Sequence, residues 1–93
     1  MEIIWLRDAL LDVKRITDYI KIRNPSGALK VRARMRAAVE HLEQFPHAGR
    51  TGHRPGTREI ALTEYPYIIR YRLKANQVQV LRVFHTSTSW IDL

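Results

Sequence analysis

Two prolines, Pro25 and Pro46, fence a stretch whose apolar residues recur at helical spacing, and this punctuation constrains the fold more than any other feature of the chain. Proline fixes φ, lacks an N–H and pushes the residue before it out of the α region, so a helix ends at or before the residue preceding it. Upstream of Pro25, Ala9, Leu10, Val13, Ile16 and Ile20 fall on one helical face, with Asp12, Lys14, Arg15 and Asp18 largely on the other. Asn24-Pro25 stops that helix and starts a second, with Asn24 as N-cap and Pro25 in the first turn. The second helix is predicted to run to about Phe45, with Ala28, Val31, Met35, Ala38, Val39, Leu42 and Phe45 as its apolar stripe. So short a link predicts an antiparallel helical hairpin.

The rest of the chain changes period. Met1–Leu6 reads as a first strand. The segment PHAGRTGHRPG, from Pro46 to Gly56, reads as a loop. Three strand-like runs follow, Thr57–Thr63, Tyr67–Leu73 and Val78–His85, with short turns between them that predict an antiparallel meander. In the second run Tyr67, Ile69, Tyr71 and Leu73 are expected under the helices, with Ile68, Arg70 and Arg72 on the open face. Strict alternation in the last run would put Gln79, Leu81, Val83 and His85 on one face and Val78, Val80, Arg82 and Phe84 on the other. The order β-α-α-β-β-β, in one domain spanning 1–93, predicts an α+β fold with the helical hairpin on one face of the sheet.

Composition narrows the function classes. The chain is 45% hydrophobic and 27% charged, as expected of a globular domain, and its apolar runs are too short for a membrane span. Its N-terminus carries Glu2 and Asp8 with no basic run ahead of an apolar stretch, so no signal peptide is expected. No cysteine is present, which excludes disulfides and thiolate metal sites and fits a cytoplasmic location. His41, His47 and His53 lack the spacing of a helical metal pair, so neither metal nor cofactor is expected. The net charge is +7, and 12 of the 16 basic residues are Arg. An anionic partner is expected, nucleic acid or an acidic protein segment.

The motifs W-L-x-x-A-L-x-D (5–12), I-x-x-Y-I-x-x-x-N-P (16–25), L-x-x-F-P (42–46), G-R-x-G (49–52), G-T-R-E (56–59), Y-P-Y-I-I-x-Y (65–71) and R-V-F-H-T-S-x-x-W (82–90) resemble the ParE/RelE superfamily of type II toxin–antitoxin modules. The resemblance implies a small curved antiparallel sheet carrying an N-terminal helical hairpin. It also implies a toxin held in a hetero-oligomer by a cognate antitoxin with an extended, often acidic, C-terminal segment. RelE-like members cut mRNA on the ribosome without a metal, whereas ParE-like members inhibit DNA gyrase. A degenerate member would bind its antitoxin as a co-repressor without toxicity.

This chain resembles the ParE-like members more closely. The two residues before Trp90, basic in many relatives, are Thr88 and Ser89, and a strand position that often holds arginine is Ile68. A metal-independent nuclease needs a base and cations around the phosphorane. His85, Arg72 and Arg82 are the candidates for those roles. His85 equally suits a structural strand end, and Glu59 equally suits pairing with a nearby arginine. Arg50, Arg58, Arg70, Arg72 and Trp90 are candidate contacts to target or antitoxin, with Trp90 better suited to anchoring the last strand than to stacking on a base. The loop 46–56 has no G-K-[ST] ending and does not qualify as a P-loop.

Overall fold

The structure is a computed structural model, and it describes residues 1–88. Strand β1 (Glu2–Trp5) leads into α1 (Arg7–Arg23) and α2 (Pro25–His41). Strands β2 (Arg50–Thr51), β3 (Arg58–Ala61), β4 (Tyr67–Lys74) and β5 (Gln77–His85) follow, and a short 3-10 turn covers Thr86–Thr88. The sheet order is β1-β5-β4-β3-β2. The expected α+β hairpin-on-sheet architecture is present. The sheet is mixed, however: β2 to β5 are antiparallel, and β1 joins β5 in parallel. The two helices between β1 and the meander carry the chain back across the sheet, which lets the first strand run alongside the last.

The helix junction forms as its residues dictate. The Asn24 side chain accepts from the Gly27 N–H at 3.0 Å, and Pro25 occupies the first position of α2, where its missing donor costs nothing. The stripe of α2 is buried through Leu42, but the helix stops at His41. Phe45 therefore leaves the stripe and lies exposed, stacked on His41 with ring centroids 4.8 Å apart. Two expectations for α1 also change. Leu10 is exposed, and Asp12, assigned to the outer face, is buried at 3%.

The core lies between the hairpin and one face of β4 and β5, where Val31, Met35 and Val39 meet Ile69, Val80 and Val83. Strict alternation fails in β5. Arg70 pairs with Arg82 and Tyr71 with Val80, so Leu81 is an extra residue and forms a β-bulge. The bulge resets the faces: Val78, Val80 and Val83 all enter the core, while Arg82 and Phe84 share the outer face with Arg70 and Ile68.

The segment 46–57, expected as loop to Gly56, carries the two-residue β2 and is ordered by Tyr71. Its hydroxyl donates to Pro46 O at 2.7 Å and accepts from Gly49 N at 2.9 Å, and burial pushes its pKa upward, keeping it a neutral donor. A Cβ on Gly49 would lie 2.6 Å from that ring, so only glycine fits. The β4–β5 turn carries Ala75 and Asn76 at φ 54 and 58, the left-handed region that alanine resists. Ala75→Gly is therefore expected to stabilise the fold by about 1 kcal/mol, read as a rise in thermal midpoint of roughly 4–8 °C.

Candidate functional site

On the sheet face away from the helices lies an open cleft of about 930 Å³. Arg7, Arg54, Arg70, Arg72, Lys74 and Arg82 line it, with Asp8 as the one carboxylate among the described residues. Alternation along β4 puts Arg70, Arg72 and Lys74 on this face, and the bulge turns Arg82 toward the same side. Arg7 sits at the start of α1, and Arg54 belongs to the loop before β3. The expected cationic face therefore exists, with Arg7, Arg54 and Lys74 added by the tertiary structure to the arginines picked from sequence.

The cations differ in what they can do. Arg70 is 1% exposed, and its Nη2 and Nε lie 2.9 and 3.2 Å from Glu59 Oε2. Its guanidinium also stands 4.9 Å from the Phe84 ring centroid, while Nη1 has no hydrogen-bond partner among the described residues. Expected as an open-face contact, Arg70 is instead a buried charge in the cleft floor. Arg72 is half-buried, and its Nε donates to Gln79 Oε1 at 2.7 Å.

Arg82 donates from Nε and Nη2 to the two Asp12 oxygens at 2.8 and 3.1 Å. That hydrogen-bonded pairing raises its pKa above the ordinary arginine value, so it is a fixed cation and no proton donor. Asp12 also accepts from Arg15 at 2.7 Å and from the Val83 N–H at 2.9 Å. With β1 ended at Trp5, this carboxylate takes the place of a strand against the free edge of β5. Sequence inspection missed the role, although Asp12 lies three residues after Ala9 and four before Ile16, on the edge of the apolar stripe.

His85 is not brought to the cleft. It is exposed at the end of β5, beside a separate pocket of about 250 Å³ that also holds Asp12, Arg15 and Arg82. Its ring meets Tyr67 edge-on at 5.6 Å. Its Nδ1 accepts from the Ser87 N–H at 3.0 Å, and its carbonyl accepts from the Thr88 hydroxyl at 2.7 Å. In a neutral imidazole, an accepting Nδ1 leaves the proton on Nε2. The lone pair a general base would use is thus already engaged. Of the proposed acid–base set, Arg72 and Arg82 share the cleft, Arg82 alone borders both pockets, and His85 stands apart.

Arg58 donates to Gly49 O at 2.8 Å and holds the loop. Arg50 is exposed on β2, opposite Glu59. Trp90 lies outside the described residues. Among the described residues, no three His, Cys, Asp or Glu side chains gather as a metal site, and no helix is long and apolar enough to cross a membrane.

Comparison with known proteins places this architecture. The protein Y4kP of Sinorhizobium fredii, which carries a toxin designation, is 39% identical over 86 residues, covering 92% of this chain and 88% of that protein. Toxin RelE2 of Caulobacter vibrioides is 30% identical over 92% of this chain and 96% of its own. A solved chain from the chromosomal ParDE TA system from P. aeruginosa superposes with a TM-score of 0.84 at 31% identity, covering 91% of this chain and 95% of that one. The sequence model of the ParE toxin of the type II toxin–antitoxin system parDE matches residues 3–90. The chain belongs to this family: it is a ParE/RelE-type toxin of a type II toxin–antitoxin system, and as such it has an antitoxin partner.

Proposed function

We propose that this toxin acts on DNA gyrase in the cytoplasm, as an inhibitor and not as a ribonuclease. The observation that carries this reading is the disassembly of the acid–base set. The His85 lone pair is tied to the Ser87 amide, the Arg82 charge is matched by Asp12, and Arg72 lies in a different pocket from His85. Phosphodiester cleavage needs these functions converging on one phosphate. Inhibition by binding needs none of them. At rest the toxin is held by an antitoxin whose acidic C-terminal segment complements the +7 charge, with Leu10, Tyr19, Ile22 and Leu29 offering exposed apolar anchors on the hairpin.

The test is induced expression of wild type and His85→Ala, with purified toxin assayed on gyrase supercoiling. His85→Ala is expected to retain full growth arrest, and both proteins to inhibit supercoiling while cellular mRNA stays intact. Arrest that is lost in a folded, antitoxin-binding His85→Ala, with cut mRNA in the wild type, would establish the endoribonuclease instead. Absence of any arrest from the wild type would leave a co-repressor.

A further inference from the structure

We propose that the cleft on the open sheet face binds the phosphate backbone of duplex DNA. Arg7, Arg54, Arg70, Arg72, Lys74 and Arg82 line it, and of these Arg70 is paired with Glu59 and Arg82 with Asp12. Arg7 and Lys74 have no hydrogen-bonded or ion-paired side-chain partner among the described residues, and Arg72 commits only its Nε, to Gln79. The first turn of α1, which carries Asp8, opens at the rim, and its N-cap, Leu6, provides no side-chain hydrogen bond there. Such an uncapped helix start favours an anion. Independently, Arg70, 1% exposed in the floor, leaves Nη1 without a hydrogen-bond partner among the described residues. The charge of Arg70 is matched by Glu59, and the Nη1 donor is what remains at the cleft floor for an anion.

The lining also selects among polyanions. Among the described residues it contains no aromatic side chain on which a single strand could stack its bases. The cleft opens on side chains of a sheet face, whereas an acidic peptide that extends a sheet needs a strand edge. Long, flexible Arg and Lys side chains suit a row of phosphates whose bases remain paired, and such contacts are sequence-independent. The proposal rests on the gyrase-directed reading for where DNA is met, since a topoisomerase presents duplex to its inhibitor, but not for the contact itself.

The experiment uses full-length toxin freed from its antitoxin and a fluorescein-labelled 20-bp duplex, followed by anisotropy across a salt series. Binding is expected to be sequence-independent and to weaken steeply with salt. Arg72→Ala and Lys74→Ala should each weaken it roughly threefold to tenfold and lower the salt slope by about 1. Lys30→Ala, on the exposed side of α2, should leave it unchanged. Lys74→Ala guards against misfolding, because that side chain is exposed.

The proposal is overturned by any of three results: no duplex binding at low salt, duplex binding indifferent to both cleft variants, or preference for a single-stranded RNA or an acidic peptide of matched length. Supercoiling assays on the same preparations separate the two claims. Gyrase inhibition without duplex binding removes the cleft proposal and leaves the gyrase reading, and duplex binding without inhibition does the reverse.

Discussion

Glu59→Ala should destabilise the toxin by about 3–5 kcal/mol, the largest loss expected from any single substitution considered. Glu59 and Arg70 are 3% and 1% exposed, and their side chains meet at 2.9 Å. Removing the carboxylate strands a guanidinium that is already one partner short among the described residues, with the Phe84 ring beside it. Against a total stability of roughly 5–15 kcal/mol, such a loss would unfold a sizeable fraction of the protein at growth temperature. Chemical denaturation of the purified chain measures it.

Removing both charges has a different expected outcome. Glu59→Leu combined with Arg70→Met should fall within about 1 kcal/mol of wild type or above it, because two desolvation costs vanish together. A double variant as unstable as Glu59→Ala would show that the pair contributes through geometry that apolar side chains cannot reproduce. The sequence raised this pairing only as one alternative for Glu59. The register supplies the rest, since Glu59 of β3 sits directly opposite Arg70 of β4.

Asp12→Ala is expected to cost about 3 kcal/mol, seen as a fall in thermal midpoint of roughly 12–24 °C. One carboxylate serves Arg82 twice, Arg15 once and the Val83 N–H once. Its loss leaves that buried amide without an acceptor and frees Arg82 toward the cleft. Arg15 is largely exposed and Arg82 partly so, which puts the figure at the low end for a buried pair. Asp12→Asn keeps an acceptor for Val83 but gives up the charge, and should fall between. Arg82→Ala should cost less than Asp12→Ala, because Asp12 would keep Arg15 and the amide. The reverse order would mean that the strand-edge hydrogen bond contributes little.

The same residues mark how far the sequence could be read. Local chemistry was legible: Asn24 caps α2, Pro25 opens it, and the stripe Ala28 to Leu42 is buried. The face of β4 under the helices was legible too, because Tyr67, Ile69, Tyr71 and Leu73 keep strict alternation through an unbulged strand. In β5 the inserted Leu81 breaks that alternation, and no local composition announces a bulge whose position depends on the partner strand. Phe45 followed the helical period on paper but lies beyond the residue where the helix ends.

The cationic face of the site was partly visible as Arg70 and Arg72 on alternate positions of one strand. Its contributions from Arg7 and Arg54, and the separation of His85 from Arg72, were not. By itself the sequence determined the helical hairpin, the meander and the excess of arginine, because helix caps, proline stops and hydrophobic period act over a few neighbouring residues. Which cations stand free and which are spent on carboxylates was decided by tertiary structure alone, because Asp12 meets Arg82 across 70 residues and Glu59 meets Arg70 across a strand pair. Charge pairing depends on distance in space, and chain order carries almost none of it.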